Sequence, residues 1–146
     1  MLKYIGKFGG YKMEQTPRQI AREKAIICIY QNLLNDREKD EIDIYLNENE
    51  ILVEYNQYYS FAKEIIETTI TNREQYVKLI SKYLKTGWTF ERLSFLEKAV
   101  LLVGACELLD FDRDKRVVIN ESILFCKKYC DQDSYRFING ILTKII

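Results

Sequence analysis

The residues best equipped for chemistry lie in the stretch VVINESILFCKKYCDQDSYRFINGIL, from Val117 to Leu142. It reads as two short amphipathic helices joined by a polar turn, and Tyr135-Arg136-Phe137 opens the second. A guanidinium beside aromatic rings, at a helix start whose backbone N–H groups favour anions, can hold a charged group and a flat ring together. Asp131 or Asp133 is placed to cap that helix. A second basic element stands near the start of the chain. Arg18 and Arg22 are four residues apart there and are expected to project together from the polar side of their helix.

Enzyme chemistry finds little support. The chain has no histidine, no glycine-rich phosphate loop and no spacing that pairs a nucleophile with a base. The cysteines (Cys28, Cys106, Cys126, Cys130) lack the C-x-x-C spacing of zinc or redox sites. Cys126 and Cys130 share a helical face, a weak metal signal; free thiols in a reducing cytoplasm are the favoured reading. No metal and no cofactor is expected. The longest apolar run, Ala99 to Cys106, is too short for a bilayer, and the opening residues lack the apolar run of a signal peptide. A soluble, cytoplasmic protein with no membrane partner is therefore expected.

Lys and Arg balance Asp and Glu at 22 each, but unevenly along the chain. Residues 1–24 carry six basic residues against two acidic, residues 36–56 eight acidic against two basic, and residues 112–146 seven basic against five acidic. If the two basic ends meet, they form a modest patch that steers polyanions.

At 146 residues the chain is long enough for one domain with its own core. Residues 1–15 hold three of the six glycines and show no clear period, so a flexible basic extension is expected, with a folded domain over 16–146. Thr16, Pro17 and Gln19 form a capping box that starts a helix to about Leu34. A short acidic helix is expected around Ile42–Leu46 and a third over Glu54–Thr69. A second capping box, Thr71 with Glu74, predicts a fourth helix carrying core residues to Leu84 and ended by Gly87, with Trp88 covering the junction. Ser94 and Glu97 make a third box and lead into AVLLVGACELL; periodicity alone allows a buried strand at Ala99–Val103, but length and the cap favour a helix of about sixteen residues buried at the centre of a bundle. Gly104 within it implies close approach of a neighbouring helix, and Gly140 is likewise read as a packing contact. The expected fold is all-α, a single-domain bundle of about six to seven helices.

The residues now carry a resemblance. VVINESILFCKKYCDQDSYRFINGILTKI resembles the signature of the NusB family of bacterial transcription antitermination factors, through its I-N-E and F-I-N-G elements at matched spacing. RLSFLEKAVLLVGACELL is similar to that family's central helix and AREKAIICIYQNLL to its first. The resemblance implies a NusB-like helical bundle and a non-enzymatic RNA-binding factor. It would recognise the boxA sequence of ribosomal RNA leaders together with NusE, a small-subunit ribosomal protein, within an RNA polymerase antitermination complex. Carried over by position, it assigns RNA contact to Arg18, Arg22, Tyr30, Glu97, Lys98, Asp133, Tyr135, Arg136 and Phe137.

Chemistry gives these roles content. Single-stranded RNA is held by phosphate contacts and by stacking of bases on aromatic or guanidinium planes, which Phe137 and Arg136 supply side by side. Glu97 can accept hydrogen bonds from exocyclic amines, whereas Asp133 repels phosphate and has a capping or affinity-limiting role. Plainer readings stand beside these. Phe137 is also at core spacing with Ile141, Tyr30 lies on the apolar stripe of its helix, and Glu97 is the capping partner of Ser94. Where the family often has consecutive arginines, this chain has Arg18-Gln19-Ile20. The acidic half is expected to face the protein partner. Two other functions stay open: a homodimeric or partner-binding scaffold with weak RNA affinity, and the RNA-positioning domain of a ribosomal RNA methyltransferase. Against the latter, no nucleotide-binding domain follows before Ile146.

Overall fold

The computed structural model describes residues 2–4, 11–13, 15–35 and 39–145. Within them are two short strands and eight α-helices. Strands β1 (Leu2–Tyr4) and β2 (Tyr11–Met13) pair antiparallel, Lys3 opposite Lys12, in a segment whose sequence shows no strand period. The reading of residues 1–15 as a flexible extension lies otherwise outside the described residues.

Helix α1 (Pro17–Asn35) starts where its capping box places it: Gln19 N–H donates to Thr16 Oγ1 at 3.1 Å, and Thr16 N–H to Gln19 Oε1 at 2.9 Å. The acidic helix α2 (Lys39–Asn47) follows, and then a one-turn helix α3 (Glu50–Glu54) capped by Asn49. Tyr55, in extended backbone, separates α3 from α4 (Asn56–Thr71), and this break raises the helix number above six or seven. The expected box of Thr71 with Glu74 does not form. Thr71 is still inside α4, Asn72 takes the junction without a side-chain cap, and α5 (Arg73–Ser81) ends short of Leu84. Gly87 instead supports a turn, at φ +90°, a region favouring glycine. A 3-10 turn (Phe90–Arg92) leads to α6 (Phe95–Asp110), whose box of Ser94 and Glu97 is complete. Helix α7 (Lys115–Tyr129) begins earlier than its apolar spacing implies because Asp114 caps it, and α8 (Ser134–Ile145) closes the bundle.

The core is organised on α6. Every residue from Ala99 to Leu108 is buried, so the helix must be covered on all sides, and α1, α4, α5, α7 and α8 cover it. Gly104 is where α8 comes closest: a Cβ there would lie 3.0 Å from Leu142 Cδ2. Gly140 has nothing within 4 Å of such an atom, so the packing role expected of it is wrong; it sits on an open side of α8. Among the described residues no helix is long and apolar enough to cross a membrane.

One charged residue is buried within this apolar wrap. Glu107 is 1% exposed and accepts from Arg22 Nε at 2.7 Å and Nη2 at 2.9 Å. Arg113 Nη1 lies 3.5 Å from the same carboxylate. Arg22 therefore does not project from the polar side of α1. It points inward, 4% exposed, because a carboxylate buried 85 residues along the chain requires a cation. Glu107→Ala strands the buried Arg22 guanidinium and leaves the half-buried Arg113 without its carboxylate, and is expected to lower the unfolding free energy by about 3–5 kcal/mol in urea titration. A loss below about 1 kcal/mol, the value of an exposed pair, would contradict this.

Candidate nucleic-acid interface

The turn between α7 and α8 faces the entry to α6. Cys130, in extended backbone, stops α7; Ser134 N–H then donates to the Asp131 carbonyl at 3.0 Å, and Arg136 N–H to that of Asp133 at 3.2 Å. Both aspartates thus serve the turn through their carbonyls, which leaves the exposed carboxylates free of the expected capping bond. Ser134 Oγ donates to Glu97 Oε2 at 3.0 Å, while Glu97 Oε1 accepts from Ser94 N–H at 3.0 Å. One carboxylate therefore caps α6 and ties the start of α8 to it.

Between these elements lies a pocket of about 550 Å³. Trp88, Leu93 and Phe137 give it apolar walls, and Glu97, Asp131 and Asp133 line it with carboxylates. Among the described residues, Lys85 is the only cation of its lining. Phe137 is half-buried, packed on the core yet bordering the opening, so both readings of it hold. Trp88, half exposed, was read from sequence only as cover for a junction. Its status as the sole tryptophan, next to a glycine turn, was the available signal.

Outside the pocket the surface turns basic. The Arg136 guanidinium stands 5.6 Å from the Tyr135 ring centroid and donates from Nε to the phenol oxygen at 3.1 Å. Lys127 lies 4.8 Å from the same centroid, and Lys128 follows on α7. Lys98 is half-buried and covers the Phe95 ring at 4.7 Å.

The start of α1 abuts this surface through α7. Gln19 Nε2 donates to Glu121 at 2.9 Å; Glu23 accepts from Lys128 Nζ at 3.0 Å and, more closely, from the Tyr129 hydroxyl. Arg18 is exposed and stacks over Phe61 at 5.1 Å, beside Arg22 at 5.4 Å and Arg113 at 4.3 Å. The structure thus gathers Glu97, Asp133 and Phe137 in one pocket, with Tyr135 and Arg136 beside it. Arg18 lies over Phe61 of α4 whereas Gln19 and Glu23 meet α7, and Tyr30 packs half-buried against the core.

These features define an all-helical bundle with an aromatic pocket and a cationic rim, a class of surface suited to unpaired nucleic acid. Comparison with known proteins gives the family. Residues 19–146 match the NusB family. The transcription antitermination protein NusB of Macrococcus caseolyticus (strain JCSC5402) is 33% identical over 129 residues, covering 88% of this chain and 95% of that protein. The crystal structure of T. maritima NusB is similar with a TM-score of 0.76 and 30% identity, over 90% of this chain and 92% of that one. A structure of antitermination factors NusB and NusE in complex with dsRNA contains a chain similar at TM-score 0.74 and 26% identity, covering 88% and 95%. The chain belongs to the NusB family.

Glu23 gives this surface a pH dependence. Burial pushes its carboxyl up, but hydrogen bonds from Tyr129, Gln15 and Lys128 outweigh that and hold it below its ordinary value of 4.5. A depressed carboxyl stabilises the fold above the unfolded value and loses that contribution as pH falls through the folded one. Unfolding free energy should therefore decline below pH 4.5, and Glu23→Gln should flatten that decline. An acid slope unchanged by the substitution would show that the α1–α7 contact is not held by this charge.

Proposed function

We propose that this protein is a non-enzymatic, cytoplasmic transcription antitermination factor that binds boxA-type single-stranded ribosomal RNA leader together with NusE. It would act within an RNA polymerase antitermination complex. The observation that carries this reading is the start of α8, where Phe137 borders an open pocket while Arg136 and Tyr135 stand on the adjoining basic rim. Phosphates are favoured along Arg136, Lys127 and Lys128, and an unstacked base beside Phe137. The similar structure of NusB and NusE in complex with double-stranded RNA supports RNA and NusE as kinds of partner. Arg18 extends the cationic surface across α1. Arg22 instead contributes by fixing α1 to α6, since both of its bonded nitrogens are occupied by Glu107.

Phe137→Ala is expected to weaken binding to a boxA RNA by about tenfold at every salt concentration, the scale of one lost base stack. Arg136→Ala should instead reduce the slope of log affinity against log salt by about one phosphate contact. Gel shifts from low to moderate salt separate the two. Wild-type binding by both variants would remove the site.

For NusE, the α2–α3 region is the favoured docking side. It is acidic and exposes Ile44, Val53 and Tyr55, a mixture suited to a basic partner with apolar anchors. Asp43 is a poor probe, being bonded to Tyr59 at 2.6 Å and Lys63 at 2.9 Å. Charge reversal at the exposed Glu48 and Glu54 should weaken NusE capture while sparing the fold; undiminished capture would place NusE elsewhere.

A further inference from the structure

We propose that the pocket between α6 and the α7–α8 turn receives one unpaired guanine, stacked against Trp88 and Phe137 and read by the carboxylates of Asp131 and Asp133. This rests on the RNA-binding reading above and adds a base preference to it.

The lining restricts what can enter. About 550 Å³ falls within the roughly 300–1,000 Å³ of small-ligand sites and admits a base with part of its sugar. Two aromatic side chains and Leu93 favour a flat, apolar face. Three carboxylates against one lysine repel phosphate, so the backbone must stay on the basic rim while the base turns inward. Ionised carboxylates only accept hydrogen bonds, so the polar edge of the ligand has to donate.

The carboxylates are not equally available. Glu97 is spent on Ser94 and Ser134. Asp131 and Asp133 are exposed, and within the described residues their carboxylates accept no hydrogen bond; Asp133 feels the charge of Arg136 without a close ion pair. Among the RNA bases, guanine alone presents two adjacent donors, N1–H and N2–H, in line with the two oxygens of one carboxylate. Adenine and cytosine set a ring-nitrogen acceptor beside their amino group, and uracil flanks its one N–H with carbonyl oxygens. Each of those turns a lone pair toward the carboxylate.

Trp88 is set in place before any ligand arrives. Its backbone N–H donates to the Lys85 carbonyl at 2.9 Å, and Gly87 makes the turn with positive φ. Arg92 lies over the indole at 5.0 Å and donates from Nη1 to the Gly87 carbonyl at 2.9 Å. The backbone of the turn is thus held and one indole face is covered by a guanidinium, which leaves the other face for stacking.

The single tryptophan makes the test direct. Labelled U-rich oligoribonucleotides carrying one G, A, C or inosine at a central position, and the all-U strand, are titrated into the full chain with and without NusE. Anisotropy reads affinity, and Trp88 emission, followed without NusE, reads the pocket. The G strand should bind roughly tenfold more tightly than all-U and quench Trp88. Inosine, which lacks the 2-amino group, should lose most of that advantage. Asp131→Asn with Asp133→Asn should bring the G-to-U ratio close to unity, with circular dichroism confirming the fold. Equal affinity for all strands, preference for another base, or a ratio untouched by the double variant would overturn the guanine proposal and leave RNA binding standing. Failure of every strand to bind would overturn both.

Discussion

The buried bond between Glu107 and Arg22 is the constraint on which the arrangement depends. Helix α6 is apolar on every side, and burial alone would let α1 slide or rotate over it at small cost. A carboxylate in that setting has to meet a cation, and a two-point contact with a guanidinium accepts only one register. Such a pair adds less stability than a well-packed apolar replacement could, but it fixes position. With α1 fixed, Gln19 and Glu23 meet α7, and α7 in turn carries the lysines and the turn that lead to the site.

Glu97 does the corresponding work at the other end of α6. It closes the helix cap and holds Ser134, so the floor of the pocket and the start of α8 form one unit. The charges then separate by depth. Carboxylates line the pocket while Arg136, Lys127 and Lys128 stand outside it, an order that under the proposed function would draw phosphates to the rim and leave the interior to a base. An acidic pocket inside a basic rim would be self-defeating for binding phosphate alone. For a nucleotide, whose two ends differ in charge, it sets an orientation.

How much of this the sequence held depends on the range of each interaction. The boxes at Thr16 and Ser94 were legible because both partners lie three residues apart, and α6 was legible because its length and the preceding cap favour a helix where periodicity alone also allows a strand. Thr71 with Glu74 carries the same pattern and fails because α4 runs on through Thr71. Arg22 has the spacing of a surface residue, and only a partner 85 positions away turns it inward. The pocket was half legible. Glu97, Asp133 and Phe137 could be picked out by resemblance, whereas Trp88 joins them through a glycine turn that no periodicity reports. Gly140 was misjudged because helical spacing around a glycine does not reveal whether a neighbour faces it.

Under the proposed function, the start of α8, the pocket beside it and the end of α7 form one RNA surface. Backbone amide shifts of the labelled protein, followed while a boxA-type single strand is added, test it most directly. The largest changes are expected from Asp131 to Phe137 and at Trp88, with smaller ones at Lys127, Lys128 and Arg18. Changes confined to α2 and α3, or a spectrum that the RNA leaves untouched, would contradict it.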